Sequence, residues 1–589
     1  MNCSNKFKLT AVAMMVGTAM NANAALYQVV EVSPENVVDE TVYGVAIQQG
    51  DVETDPATGA PYALGCFDSD AGCQPETFKL ALETRTSPIS AGQAVDGVSY
   101  REEVPFASDA RFYTVENTSD AGDDGNFKTY CYDALGYSTC DSWAALNWKP
   151  WQAEKFYKDF TSNAKAFVEE ADEAYDNQYN NVINSLTHDL KPIGNQSVVS
   201  EENPSQLETR NRVVAPTKPN IVTEDGQAEV VESRAWNTDG NYTVGSISRK
   251  YTNDNGTHHT SKAAIWDSSS LVSEVPWRTD QAEDGDRLAQ GSMRDLVVDG
   301  LTIYGVGYNT YSDNNYLNAS VFVGKTNTAG SLEEVSWTSK AVAGARQRED
   351  EGDGEETVHS NSRLTDVNEN YVAIGEAKRR IVTAGALPNR LFIVEDIRAD
   401  SLKAFYPNTG IFFYGSGGKM GGINKYNEIV GQIDAESSRE YEGKPRRKRG
   451  FIYPYALNGQ ESERAKSLFE GKAWLLDNLT NGSNDGDSAA QAISEKNNEY
   501  RIIDATDIND AGVISATAMK CEGGYKSTDH NASCDGTEKI VAVKLMPIAG
   551  ATSADIQKRS VEEESAERQG AGLGWLALTM LGFFGFRRK

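Results

Sequence analysis

The chain has 589 residues, 39% of them hydrophobic, and a formal charge of −30 from 56 Lys+Arg against 86 Asp+Glu. The apolar content suffices for a sizeable core and excludes global disorder, while so negative a surface repels phosphate backbones, so no nucleic-acid partner is expected. The 51 glycines beside 17 prolines point to many turns between short strands.

Residues 1–24 carry Lys6 and Lys8, an apolar run from Leu9 to Met20, and Ala22-Asn23-Ala24 ahead of Ala25. This is the layout of a secretory signal peptide, with Ala24 at the cleavage point for signal peptidase. Cys3 would leave with it. The remaining cysteines form three local pairs, Cys66 with Cys73, Cys131 with Cys140 and Cys521 with Cys534. An even count in an exported chain favours disulfides, and such short separations favour the local pairing.

Residues 25–149 read as an N-terminal β region, with alternation over Leu26 to Ile47 and turn-rich runs such as Asp120 to Asn126. From Gln152 to Leu186 there is neither glycine nor proline. Phe156, Phe160, Ala164, Phe167, Ala171, Tyr175, Val182 and Leu186 recur mostly every three or four residues, which predicts a long helical insertion over 150–192. Residues 193–233 turn polar, with Pro204, Pro216 and Pro219, and read as a connector.

A degenerate repeat fills 234–549. Val367-Asn368-Glu369-Asn370-Tyr371-Val372-Ala373-Ile374-Gly375 aligns without gaps to Ile423 through Gly431 and to Ile508 through Ala516. Weaker copies start near Asn237 and Asp299, and each is followed by an apolar strand such as Gly450-Phe451-Ile452-Tyr453. Asparagine at a strand end bonds its own backbone and starts a tight turn, and glycine or asparagine three residues on tolerates the left-handed geometry of its far side. The key positions 237, 299, 368, 424 and 509 lie farther apart than the roughly 40–50 residues of common propeller blades, so long loops or extra strands are expected. One hairpin cannot bury both of its faces. Stacked neighbours can, so the expected fold class is mainly β, a propeller-like array of antiparallel hairpins, with a solenoid or split sandwich as alternatives.

The chemistry is sparse. The histidines, His188, His258, His259, His359 and His530, fit no His-Glu-x-x-His pattern, and no Gly-x-Ser-x-Gly elbow or phosphate loop is present. No catalytic or cofactor residue is therefore assigned. Acidic turns such as Asp68-Ser69-Asp70 leave calcium open, although none matches a full calcium loop. The densest cationic run, Lys444-Pro445-Arg446-Arg447-Lys448-Arg449, offers Lys444, Arg446, Arg447, Lys448 and Arg449 either for anion binding on a propeller rim or for internal pairing, with Lys378-Arg379-Arg380 in the equivalent loop of the preceding repeat.

A polar linker over 550–569 leads to the tail 570–589. There Gly570-Ala571-Gly572-Leu573-Gly574-Trp575 precedes the apolar Leu576 to Phe586 and a final Arg587-Arg588-Lys589. Such a tail suits a short transmembrane helix with its basic end in the cytoplasm and glycines that ease unwinding. It resembles the GlyGly-CTERM sorting signal of Gram-negative secreted proteins, although Ala571 interrupts the usual run of glycines. The hairpins, with strands like Arg449-Gly450-Phe451-Ile452-Tyr453, resemble the extracellular HAF repeat. Together they look like an uncharacterised exported family of unknown function. The resemblance implies cleavage by a rhombosortase-like protease around Gly570, Ala571, Gly572 and Gly574, an inner-membrane-tethered intermediate, and type II secretion to the cell surface or beyond.

These readings lead to an exported binding or structural module whose partner is a glycan, lipopolysaccharide or an envelope protein. The alternative is a secreted glycan-active lyase or hydrolase with carboxylates gathered at the propeller mouth.

Overall fold

Asn368, Asn424 and Asn509 each turn the backbone around in the same way. The Oδ1 of Asn424 accepts from the backbone N–H of Tyr426 (3.0 Å) and Glu428 (3.1 Å), that of Asn368 from Asn370 and Val372, and that of Asn509 from Val513. Three residues on, the backbone is left-handed, at φ 65° in Tyr371, 59° in Asn427 and 91° in Gly512. Each side-chain amide then donates to the next hairpin along: Asn368 Nδ2 to the Asn424 carbonyl (2.8 Å), Asn424 Nδ2 to that of Asn509 (3.2 Å), and Asn509 Nδ2 to that of Gln48 (3.0 Å). One residue type thus shapes the turn and ties it to its neighbour.

The computed structural model describes residues 25–34, 41–85 and 164–560, apart from short internal stretches, and a few positions between 86 and 163. Among the described residues seven antiparallel sheets of three or four strands follow one another. Their first strands are Thr41–Ile47, Val182–Leu186, Val230–Thr238, Ser292–Asp299, His359–Val367, Gly418–Ile423 and Tyr500–Ile508. Each first strand touches those of the two adjacent sheets, and the seventh touches the first, so the molecule is a closed seven-bladed β-propeller. The N-terminal strand Tyr27–Glu31 supplies the outermost strand of the seventh blade, pairing antiparallel with Glu538–Pro547 from Tyr27 opposite Pro547 to Glu31 opposite Val543.

The core lies between blades. Leu364 and Phe392 of the fifth blade pack on Val306 and Val321 of the fourth, Ile429 and Phe451 of the sixth on Ile374 and Ile393 of the fifth, and Ile502 and Val543 of the seventh on Val430 and Ile452 of the sixth. The ring closes where Val513 and Ala542 of the seventh blade meet Ile47 and Leu80 of the first. Each blade has two faces to cover, and the neighbours on either side cover them.

Several expectations change. Within the predicted helical insertion over 150–192 Tyr157 is helical, but two segments are β: Ala164–Val168 pairs with Leu80–Arg85 in the first blade, and Val182–Leu186 opens the second. Burial of Ala166 and Val168 follows the two-residue period of a strand. Apolar residues three and four apart also fit a strand over a short window, and pairing partners far along the sequence decide between the two. The expected connector over 193–233 holds strands Pro192–Val199 and Leu207–Val214 of the second blade. It reads as linker because the residues buried there include Asn195, Gln196 and Ser197. The ring therefore begins well before 234. Gly375, the last residue of its repeat, admits a close approach from within its own blade: a Cβ there would lie 2.5 Å from both the Arg363 carbonyl and the Phe392 ring.

Disulfides join Cys66 to Cys73 and Cys521 to Cys534, with Cα atoms 5.1 and 5.8 Å apart. Cys140 is also disulfide-bonded, while Cys131 lies outside the described residues. The signal region 1–24 and the tail 570–589 are outside them too. Among the described residues no helix is long and apolar enough to cross a membrane.

Candidate functional site

Each first strand carries a bulge or register shift before its hairpin, at Gly44/Ala46, Ile183/Ser185, Ala235/Asn237, Met293/Asp295, Leu364/Asp366, Met420/Ile423 and Ala505/Asp507. A bulge re-aims the side chain that follows it. In four blades that residue is Asn237, Asp295, Asp366 or Asp507. Asp295 and Asp507 belong to blades that are not neighbours, yet the charge of Asp295 acts on Asp507, which places these side chains around the central axis. Gly422 lies between two of them: a Cβ there would sit 2.9 Å from the Asp507 Oδ1 and 3.4 Å from the Asp366 Oδ2.

Every oxygen of the three carboxylates is engaged. Asp295 accepts from Asn237 Nδ2 (2.7 Å) and the Val367 N–H (3.0 Å). Asp366 accepts from the N–H of Val367 (2.9 Å) and of Ile423 (2.9 Å). Asp507 accepts from the N–H of Ile508 (2.8 Å) and of Ile47 (3.0 Å), and from Gln49 Nε2 (3.2 Å). Thus Asp366 and Asp507 each bind the amide after themselves with one oxygen and the next blade's amide with the other.

Burial raises the pKa of all three. Asp366 is held well above the usual carboxylate range by burial and then by the charge of Asp295, with which it shares a hydrogen bond. Asp295 is raised by burial. For Asp507 burial outweighs the stabilising amides and pushes its pKa up to about 7. Each of the three therefore keeps its proton to a higher pH than an exposed carboxylate does. Among the described residues no three His, Cys, Asp or Glu side chains are gathered so as to hold a metal ion.

Three residues of the cationic run are spent internally. Arg446 is buried and donates to the carbonyls of Ser438 (2.6 Å) and Gly415 (2.6 Å) while pairing with Asp434 (3.1 Å). Lys448 pairs with the same Asp434, and Arg449 with the buried Asp477 (3.0 Å). These three do not form a free anion-binding rim, because the strand Lys448–Pro454 begins inside the run and draws its side chains against neighbouring carboxylates. Arg447 remains partly exposed, and Lys444 lies outside the described residues. The three axial aspartates were missed from sequence, although two share a readable signal, Asp-x-Asn, in Asp366-Val367-Asn368 and Asp507-Ile508-Asn509.

Comparison with known proteins adds little chemistry. A solved structure of a BT0996 complex with RGII shares 11% identity, with 59% of this protein and 94% of that one covered, at a TM-score of 0.25. The Bombyx mori GH32 β-fructofuranosidase BmSUC1 shares 10% (45% and 56%, TM-score 0.21), and a thermostable family-43 glycoside hydrolase 7% (58% and 97%, TM-score 0.22). Likeness at these scores supports no functional conclusion. No curated protein matches the sequence. A family model does match residues 226–589, from just before the third blade to the last residue, and on that ground this protein belongs to the family described as protein of unknown function (DUF3466).

Proposed function

We propose that this propeller is a non-enzymatic binding and structural module of the envelope or extracellular matrix. The observation that carries the reading is the full engagement of the axial carboxylates. Oxygens that already accept backbone amides from two blades hold the ring together, and they are poorly placed to attack a substrate or exchange protons with it. The surface left for work is then that of the loops, which suits a glycan, lipopolysaccharide or an envelope protein. A glycan array combined with a release assay on polysaccharides tests this: binding without turnover is expected, and turnover abolished by Asp507→Asn would overturn it.

A second reading is favoured by one observation. Asp295 and Asp366 share a hydrogen bond and Asp507 titrates near neutrality, the pattern of paired acid and base groups in a glycan-active lyase or hydrolase. The same release assay decides between the two.

Export followed by sorting belongs to the proposal. Signal peptidase would cut after Ala24, and a rhombosortase-like protease near Gly570–Gly574 would release a membrane-tethered intermediate. The disulfides support an oxidising destination. Mass spectrometry of released protein is expected to find no peptide reaching Arg587-Arg588-Lys589.

A further inference from the structure

A second cluster of charge lies away from the axis, on the fifth blade where it meets the fourth. His359, at the start of the first strand, is paired in register with Arg379 at the end of the second, and Arg390 is the second residue of the third. The Arg390 guanidinium lies 3.8 Å from the centroid of the Tyr406 ring, which stacks on His359 at 5.9 Å with 15° between planes. Tyr406 is itself fixed by a hydrogen bond from its hydroxyl to the Gly344 carbonyl (2.7 Å) on the strip leading from the fourth blade. Arg379 acts on Arg390 as a like charge, and both act on His359, whose pKa burial and these two cations hold down at about 4. Tyr414 is 80% exposed and close enough to Arg390 to affect its ionisation.

Neighbouring arginines show what this protein ordinarily does with a cation. Arg363 pairs with Glu376 (3.1 Å) and Arg398 with Asp396 (2.9 Å). Among the described residues Arg379 and Arg390 pair with no carboxylate, and the Arg379 Nε is buried without a hydrogen-bond partner. In a sequence with 86 acidic residues against 56 basic ones, two adjoining guanidiniums that have no counter-charge among the described residues are not explained by a shortage of acidic partners. Desolvating them is costly unless an anion arrives. Both remain partly exposed, so an anion can reach them.

We propose that Arg379 and Arg390, with Tyr414 beside them, form a binding site for the carboxylate or sulfate group of an acidic saccharide. Two planar forks, one of them oriented by the ring beneath it, match the geometry of a compact oxyanion. The exposed Tyr414 face offers a surface on which a sugar ring packs. This inference rests on the binding reading above and names its ligand class.

Titration of the full-length protein with oligogalacturonate, with sulfated dextran oligomers and with neutral dextran tests it. Binding of at least one acidic saccharide and none of the neutral one is expected, and which acidic arm binds tells carboxylate from sulfate. Against a protein of net charge −30, such binding requires a local cationic site. Arg379→Gln and Arg390→Gln should each weaken it by about tenfold or more. Arg390→Lys should keep part of the affinity, and Arg398→Gln all of it. A purely structural role predicts instead that the Gln variants lower the thermal midpoint, whereas an unneutralised pair predicts a midpoint unchanged or raised. Equal binding by the Arg379→Gln/Arg390→Gln variant, or no acidic saccharide bound by the wild type, overturns the site. Binding of a neutral glycan alone would overturn the site and leave the module reading standing; turnover of a polysaccharide would overturn that reading while the arginine variants still report on the site.

Discussion

Asp507 shows how one side chain couples the fold to solution pH. Its folded pKa of about 7 lies above the ordinary carboxylate value because burial outweighs the amides of Ile47 and Ile508. Between those two values the folded state retains a proton that the unfolded state has released, so stability falls as pH rises through that window. Asp366 and Asp295 shift in the same direction, so their effect adds to it. Asp477 opposes them. The neighbouring His530 ring, 3.6 Å away, and the charges of Arg449 and Arg559 overcome its burial and hold it well below the usual range, so its contribution is present above the unfolded pKa and lost in acid. The thermal midpoint is therefore expected to fall from pH 5 to pH 8, and Asp507→Asn should flatten much of that slope. Melting curves across the range check this; an unchanged slope in the variant would place the pH sensitivity elsewhere.

Among elements, the hairpin opened by Asn424 is tied to several others. Its side chain caps two amides of its own turn, donates to the Asn509 carbonyl and to Glu428 (2.7 Å), and Glu428 in turn meets the fully buried Arg464 at 2.9 Å. Arg464 projects from the helix Glu463–Phe469 and also binds the Asp510 carbonyl (2.8 Å), so one turn joins two blades and a helix. Asn424→Ala leaves several buried groups unpaired and should cost about 2–4 kcal/mol, at about 1 kcal/mol for each net hydrogen bond and more where a charge is involved. Asn370→Ala, which removes exposed bonds to Lys425 and Asn427, should cost well under half as much. Chemical denaturation compares the two. This hairpin was legible because its signal is local: an asparagine, a left-handed position three residues on, and alternating apolar strands. In the third blade the same signal misled by two residues. There Asp239, accepting from Asn241 and Tyr242, sets the turn, and Asn237 occupies the axial position. The axial aspartates and the Arg379–Arg390 cluster were harder to see, since each is assembled from blades or strands whose pairing no short window reveals. The second blade was hidden by the polar residues its strands bury.

For the whole molecule, closure decides whether seven sheets make one body. Propeller blades cover each other, so a missing contact anywhere leaves two apolar faces and a row of unpaired amides open. The ring is closed by a strand from the other end of the sequence. Tyr27 and Val29 are buried against the seventh blade, the Val29 N–H donates to the Asn497 Oδ1 (2.9 Å), and Glu31 pairs with Lys520 (2.6 Å). The family model begins at residue 226, after this strand and the first two blades. A fragment from 226 to 560 would keep five blades but lose the outer strand on Glu538–Pro547, the first-blade surface that covers Val513 and Ala542, and the second-blade surface that covers Ala235 and Trp266. That fragment is expected to associate through its open edges and to be cut rapidly by trypsin, whereas residues 25–560 should elute as a single species and resist. Val29→Pro in the longer protein removes one amide and distorts one edge strand, so it should lower the thermal midpoint without opening both faces. Size-exclusion chromatography with limited proteolysis distinguishes these outcomes. A compact, protease-resistant monomer from the 226–560 fragment would mean that the C-terminal blades fold as an independent unit and that the N-terminal strand is dispensable for holding them together.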